Sequence, residues 1–82
     1  MTGTVTFRFF AGAARAMGTR EKRVEVAEPA PLAELVSALG ASGEAARVLG
    51  LCSWLVDAAP AEADTPVGPG AQVDALPPFA GG

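Results

Sequence analysis

The spacing of apolar and polar positions divides this chain into short elements. Val5, Phe7 and Phe9 alternate with Thr4, Thr6 and Arg8, the period of two of a strand with one buried face, and this predicts a strand over Thr4–Phe10. Phe10 breaks the alternation. It either joins a second small cluster under the following loop or forms an apolar patch for a partner. Ala11 to Gly18 reads as a short, poorly amphipathic helix or turn closed by Gly18. Arg20 to Val26 reads as a second strand, with Val24 and Val26 on one face and Arg23 and Glu25 on the other.

Leu32, Leu35, Val36 and Leu39 fall at i, i+3, i+4 and i+7. They form one apolar stripe, with Pro31 suited to the first helical turn and Gly40 ending the run. This is the principal helix. A shorter helical pattern runs from Ser42, a plausible N-cap, to Leu51. Cys52 to Val56 suits a buried strand, Asp57-Ala58 a turn, and Ala59 to Glu62 a returning edge strand, the only place that tolerates Pro60. Asp64-Thr65-Pro66 and Gly68-Pro69-Gly70 read as turns, and Ala71 to Leu76 as the final strand. Strands on both sides of one principal helix imply an α+β fold, a mixed sheet packed on that helix, with the last strand returning beside the first. The division is a domain over residues 1–76 and a tail over residues 77–82.

Composition narrows the chemistry. Half of the 82 residues are apolar and 18% are charged, as expected of a globular domain. The net charge is −3, and the only basic cluster, Arg20, Lys22 and Arg23, is interrupted by Glu21, which argues against nucleic acid. The single cysteine, Cys52, permits no internal disulfide and lies in an apolar stretch, where a buried, inert thiol is expected. No apolar run is long enough to span a bilayer and no signal pattern opens the chain, so a cytoplasmic location is expected. Histidine is absent, which removes His-based acid–base catalysis and most metal sites; no metal is expected. No phosphate-cradling glycine loop is present either.

What remains is the end of the sequence, Pro77-Pro78-Phe79-Ala80-Gly81-Gly82. Two prolines stop a strand and stiffen the segment that leaves it. Two glycines let a terminal carboxylate pass where a Cβ would clash. Six extended residues reach roughly 20 Å, far enough to enter another protein's active site.

The stretches Val5-Thr6-Phe7-Arg8-Phe9-Phe10-Ala11 and Ala33-Glu34-Leu35-Val36-Ser37-Ala38-Leu39, with Gly70 through Gly82, resemble the MoaD family within the MoaD/ThiS ubiquitin-like sulfur carriers. The family pattern differs at Pro69-Gly70-Ala71-Gln72 and at the hairpin over residues 57–62. The resemblance implies a ubiquitin-like β-grasp and a role as the small subunit of molybdopterin synthase. It makes Gly82 the reacting residue, adenylated and then converted to a thiocarboxylate, and Gly81 the residue that gives clearance. It implies a MoaE-like large subunit and a MoeB-like adenylating enzyme as partners. ATP is used by that enzyme, and no cofactor is bound by this chain. Phe10, Leu76 and Phe79 are the candidate apolar contacts, with Pro77, Pro78 and Ala80 lining the approach. For Leu76 a core position and a partner contact both stay open; Phe79 lies past the strand end, which favours a partner. The alternatives are a ThiS-like or other metabolite-thiolating carrier, a ubiquitin-like modifier, and a plain interaction module.

Overall fold

The computed structural model describes residues 2–78. Strand β1 (Gly3–Phe9) leads into helix α1 (Ala11–Met17), then β2 (Glu21–Val26) and the short β3 (Ala30–Pro31). Helices α2 (Leu32–Ala38) and α3 (Glu44–Leu49) come next, then β4 (Ser53–Val56), β5 (Ala59–Ala61), β6 (Pro66–Val67) and β7 (Gln72–Leu76). The main sheet has the order β2-β1-β7-β4-β5, and β3 and β6 form a separate two-stranded sheet. The two central strands, β1 and β7, are parallel, and the other neighbours in the main sheet are antiparallel.

One face of the sheet holds the core. Val5, Phe7, Val73 and Ala75 are fully buried beneath Leu32, Leu35 and Leu39 of the α2 region and Ala13 of α1. Phe7 lies at the centre, stacked on Phe9 with ring centroids 6.4 Å apart and meeting Trp54 edge-on at 6.1 Å. The expected helix stripe is therefore the core stripe, with Val36 at its margin.

Local chemistry explains the boundaries. The chain leaves β1 at Phe10, which is extended (φ −117°, ψ 150°), and turns at Ala11, whose φ is +47°. Phe10 thus ends outside the strand predicted to include it: its carbonyl accepts from the Ala13 N–H at 2.9 Å and opens α1. Gly18, at φ +73°, closes α1 by donating to the carbonyls of Ala14 and Arg15.

Three expectations need correction. Pro31 does not enter the first turn of α2 but precedes it, with ψ 141°, paired to Pro66 in the small sheet. The free N–H groups of Leu32 and Ala33 are taken at 2.9 Å by the carbonyls of Thr65 and Ala63, so a distant loop caps this helix without any side chain. Ser42 is not the cap of α3; Gly43 is, and no side-chain cap bond forms. The turn expected at Asp64-Thr65-Pro66 lies about one residue earlier, closed by the Thr65 N–H on the Glu62 carbonyl at 3.1 Å, and Pro66 already belongs to β6, whose Val67 is fully buried.

Among the described residues, no helix is long and apolar enough to cross a membrane.

Candidate functional site

The main sheet's second face leads to the tail. Along β1 it presents Thr4, Thr6 and Arg8, and along β7 it presents Gln72, Asp74 and Leu76, since side chains alternate. Arg8 lies opposite Asp74 in the parallel register. Its Nε donates to Asp74 Oδ1 at 2.9 Å and a terminal nitrogen donates to Oδ2 at 3.2 Å. Asp74 is 8% exposed, the one charged residue in the core's burial range among those described. The bond to Asp74, and the nearby negative charge of Glu21, hold the Arg8 guanidinium above even its usual high pKa.

Phe10 lies on this side because Phe9 takes the core side, where it is only 3% exposed. Phe10 is 39% exposed, and the Arg8 guanidinium carbon stands 5.5 Å from its ring centroid. The Phe10 N–H donates to the carbonyl of Ala75 at 3.3 Å, which ties it to the strand that delivers the tail. Leu76 is half-buried at the end of β7 and paired with Ser53. It occupies the outer face and not the core, which Val73 and Ala75 fill. Leu55 pairs with Asp74 and extends the apolar surface of this face toward β4.

Beyond Leu76, Pro77 is half-buried and Pro78 exposed. On their other flank a shallow cavity of about 130 Å³ is lined by Gly12, Arg15, Arg47, Val48, Leu51, Pro77 and Pro78. The tail base therefore sits between the sheet's outer face and the helical side of the domain. Phe79, Ala80, Gly81 and Gly82 lie outside the described residues.

The sequence placed Phe10, Leu76, Pro77 and Pro78 together, and the fold brings these four to one end of the molecule. It missed the Arg8–Asp74 pair. The available signal was an Arg on the polar face of β1 and an Asp on the outer face of β7, but only the register joins residues 66 positions apart. Cys52 lies elsewhere; its thiol donates to the Val48 carbonyl at 3.3 Å, and burial pushes its pKa up. A larger apolar cavity, about 380 Å³, opens between α2 and α3 beside Trp54.

A profile described as the ThiS family matches residues 7–82. The chain belongs to the ThiS family. Its ubiquitin-like β-grasp matches solved structures along nearly its full length. SAMP1 of Haloferax volcanii aligns with a TM-score of 0.81 and 26% identity, covering 98% of this chain and 100% of that one. Subunit 1 of the molybdopterin-converting factor of Helicobacter pylori, solved in complex with subunit 2, gives 0.69 and 24% over 96% of this ThiS-family chain and 99% of its own. Urm1 of Trypanosoma brucei gives 0.74 and 19% over 99% and 97%. The last two likenesses speak for the fold alone. No curated protein matches by sequence.

Proposed function

We propose that this ThiS-family chain is a sulfur carrier that serves as the small subunit of a molybdopterin synthase. The observation that carries the proposal is the run of central strand β7 directly into Pro77 and Pro78, beside the exposed Phe10 and the half-buried Leu76, with Gly81-Gly82 at the end of the sequence. An apolar anchor at the base of a stiff, narrow tail suits insertion into a partner. The same fold in the Helicobacter pylori factor was solved in complex with a subunit 2, so this fold accommodates a partner of that kind.

In this reading the Gly82 carboxylate attacks the α-phosphate of ATP on a MoeB-like enzyme and pyrophosphate leaves. A sulfur donor at the sulfide level then attacks the acyl carbon and AMP leaves, giving a thiocarboxylate. In the active site of a MoaE-like large subunit, that sulfur attacks a side-chain carbon of cyclic pyranopterin monophosphate, a carbon–oxygen bond there breaks and its oxygen leaves, and water cleaves the acyl–sulfur bond to restore the carboxylate; the two sulfurs of the dithiolene take two such deliveries. Acids and bases come from the partners. Pro77 and Pro78 reduce an ordering cost that is otherwise about 1–2 kcal/mol per fixed residue.

Incubation with an adenylating enzyme of this type, ATP and sulfide, with an intact-mass measurement afterwards, tests the proposal. The expected result is one oxygen exchanged for sulfur at Gly82, and dithiolene product once the large subunit and pterin are added. An unchanged mass with an enzyme active on its own carrier overturns it.

A second reading has its own support. The 26% identity to SAMP1, a small archaeal modifier protein, favours a modifier joined through Gly82 to lysines. A ladder of conjugates in cells that disappears when Gly82 is deleted would select it.

A further inference from the structure

We propose that Arg8 is a positioning residue for partner docking: Asp74 fixes its guanidinium, and the guanidinium fixes the Phe10 ring on the sheet's outer face. This rests on the docking reading of Phe10 given above.

The Phe10 backbone is already held at both ends. Its N–H donates to Ala75 and its carbonyl accepts from Ala13. The remaining freedom is the ring, which projects from the surface at 39% exposure. Arg8 lies 5.5 Å from the ring centroid. A single surface arginine is a poor support, because its long stem samples many rotamers. This one is gripped at two points, 2.9 and 3.2 Å, by a carboxylate whose side chain is only 11% exposed and which sits on rigid β7. The planar fork matches the two carboxylate oxygens and leaves its flat face free for an aromatic ring. A ring fixed before binding loses less rotamer freedom on docking, so the gain appears as affinity. The pair also spans β1 and β7, so the ring keeps a constant placement relative to the tail base.

The test uses the full chain and the purified subunit 2 of a molybdopterin-converting factor, with Kd measured by calorimetry. Because Arg8→Met alone strands a buried carboxylate, the paired change Arg8→Met/Asp74→Leu is made beside it, keeping the site filled with apolar side chains. Phe10→Ala is expected to weaken binding roughly tenfold. The paired change is expected to weaken it roughly two- to fivefold, and to add nothing in the Phe10→Ala background. In the unbound chain, three-bond couplings of Phe10 are expected to pass from one rotamer to an average when Arg8 is replaced. A loss that persists in the Phe10→Ala background, or a single Phe10 rotamer without Arg8, overturns the positioning role. Binding indifferent to Phe10→Ala overturns the docking reading instead, and the coupling result separates the two failures.

Discussion

Asp57 holds both backbone polar groups of Gln72: its N–H donates to the Gln72 carbonyl at 2.8 Å, and its Oδ1 accepts from the Gln72 N–H at 3.0 Å. This clasp joins the β4–β5 turn to the start of β7. It fixes a hairpin whose sequence departs from the family pattern. The turn places both Asp57 and Ala58 at positive φ, +48° and +69°, the geometry of a two-residue hairpin that glycine or asparagine usually supplies.

Ala58 is therefore strained, and Ala58→Gly is expected to stabilise the domain by about 0.5–1 kcal/mol, the relief of a left-handed alanine less the added freedom of the unfolded chain. Urea unfolding monitored through Trp54 fluorescence measures it. An unchanged or lower midpoint would mean that the turn relaxes in solution.

Val67→Ala tests whether the small sheet is part of the core. Val67 is fully buried although it lies between two turn-forming segments. Its truncation is expected to cost about 2–3 kcal/mol, approaching the about 2–5 kcal/mol expected of Leu35→Ala in the principal helix. A loss of a few tenths would place Val67 at a loose margin.

Two of the three arginine–carboxylate pairs among the described residues differ in value. Glu44 and Arg47 are exposed, and Arg47 lowers the Glu44 pKa, so any stability they add is present above the usual carboxylate range and lost as pH falls through it. Asp74 is buried against Arg8. Asp74→Ala is thus expected to lower the unfolding midpoint clearly and Glu44→Ala hardly at all. Equal shifts would argue against a structural grip by Asp74.

Cys52 should react slowly in the folded chain. Burial raises its pKa, and a raised folded value means a smaller thiolate fraction than in the unfolded chain. Nothing is lost in stability near neutrality, and stability falls once the pH rises into the range where only the unfolded thiol ionises. Iodoacetamide labelling at pH 8 is expected to speed up on adding denaturant. Equal rates in both states would contradict the burial.

On the proposed sulfur-carrier reading, in which Gly81 gives clearance in a partner's channel, Gly81→Ala is expected to slow sulfur transfer severely while leaving the unfolding midpoint unchanged. Parallel loss of both would move Gly81 into the folded body.

Much of the fold was legible because its signals are local. The alternation at Val5, Phe7 and Phe9, the stripe from Leu32 to Leu39 and the glycine after α1 each act within a few neighbouring residues. The departures share a cause. Ser42 is a sound cap by composition, yet the backbone enters α3 through Gly43; Pro31 is a sound first-turn residue, yet pairing with Pro66 draws it into a strand. Local preference of a few tenths to about 1 kcal/mol yields to a tertiary contact that satisfies several backbone groups at once.

The sequence by itself determined the elements other than the short β3 and β6, the single core, and an ending of two prolines and two glycines, because periodicity and residue type act through the chain's own geometry. Only the tertiary structure decided that Phe10 turns outward under Arg8, that Arg8 meets Asp74, and that Val67 is core. Each depends on which strands pair and in what register: the order of elements placed the last strand beside the first, but the parallel register that sets Arg8 opposite Asp74 joins opposite ends of the chain and no local pattern encodes it.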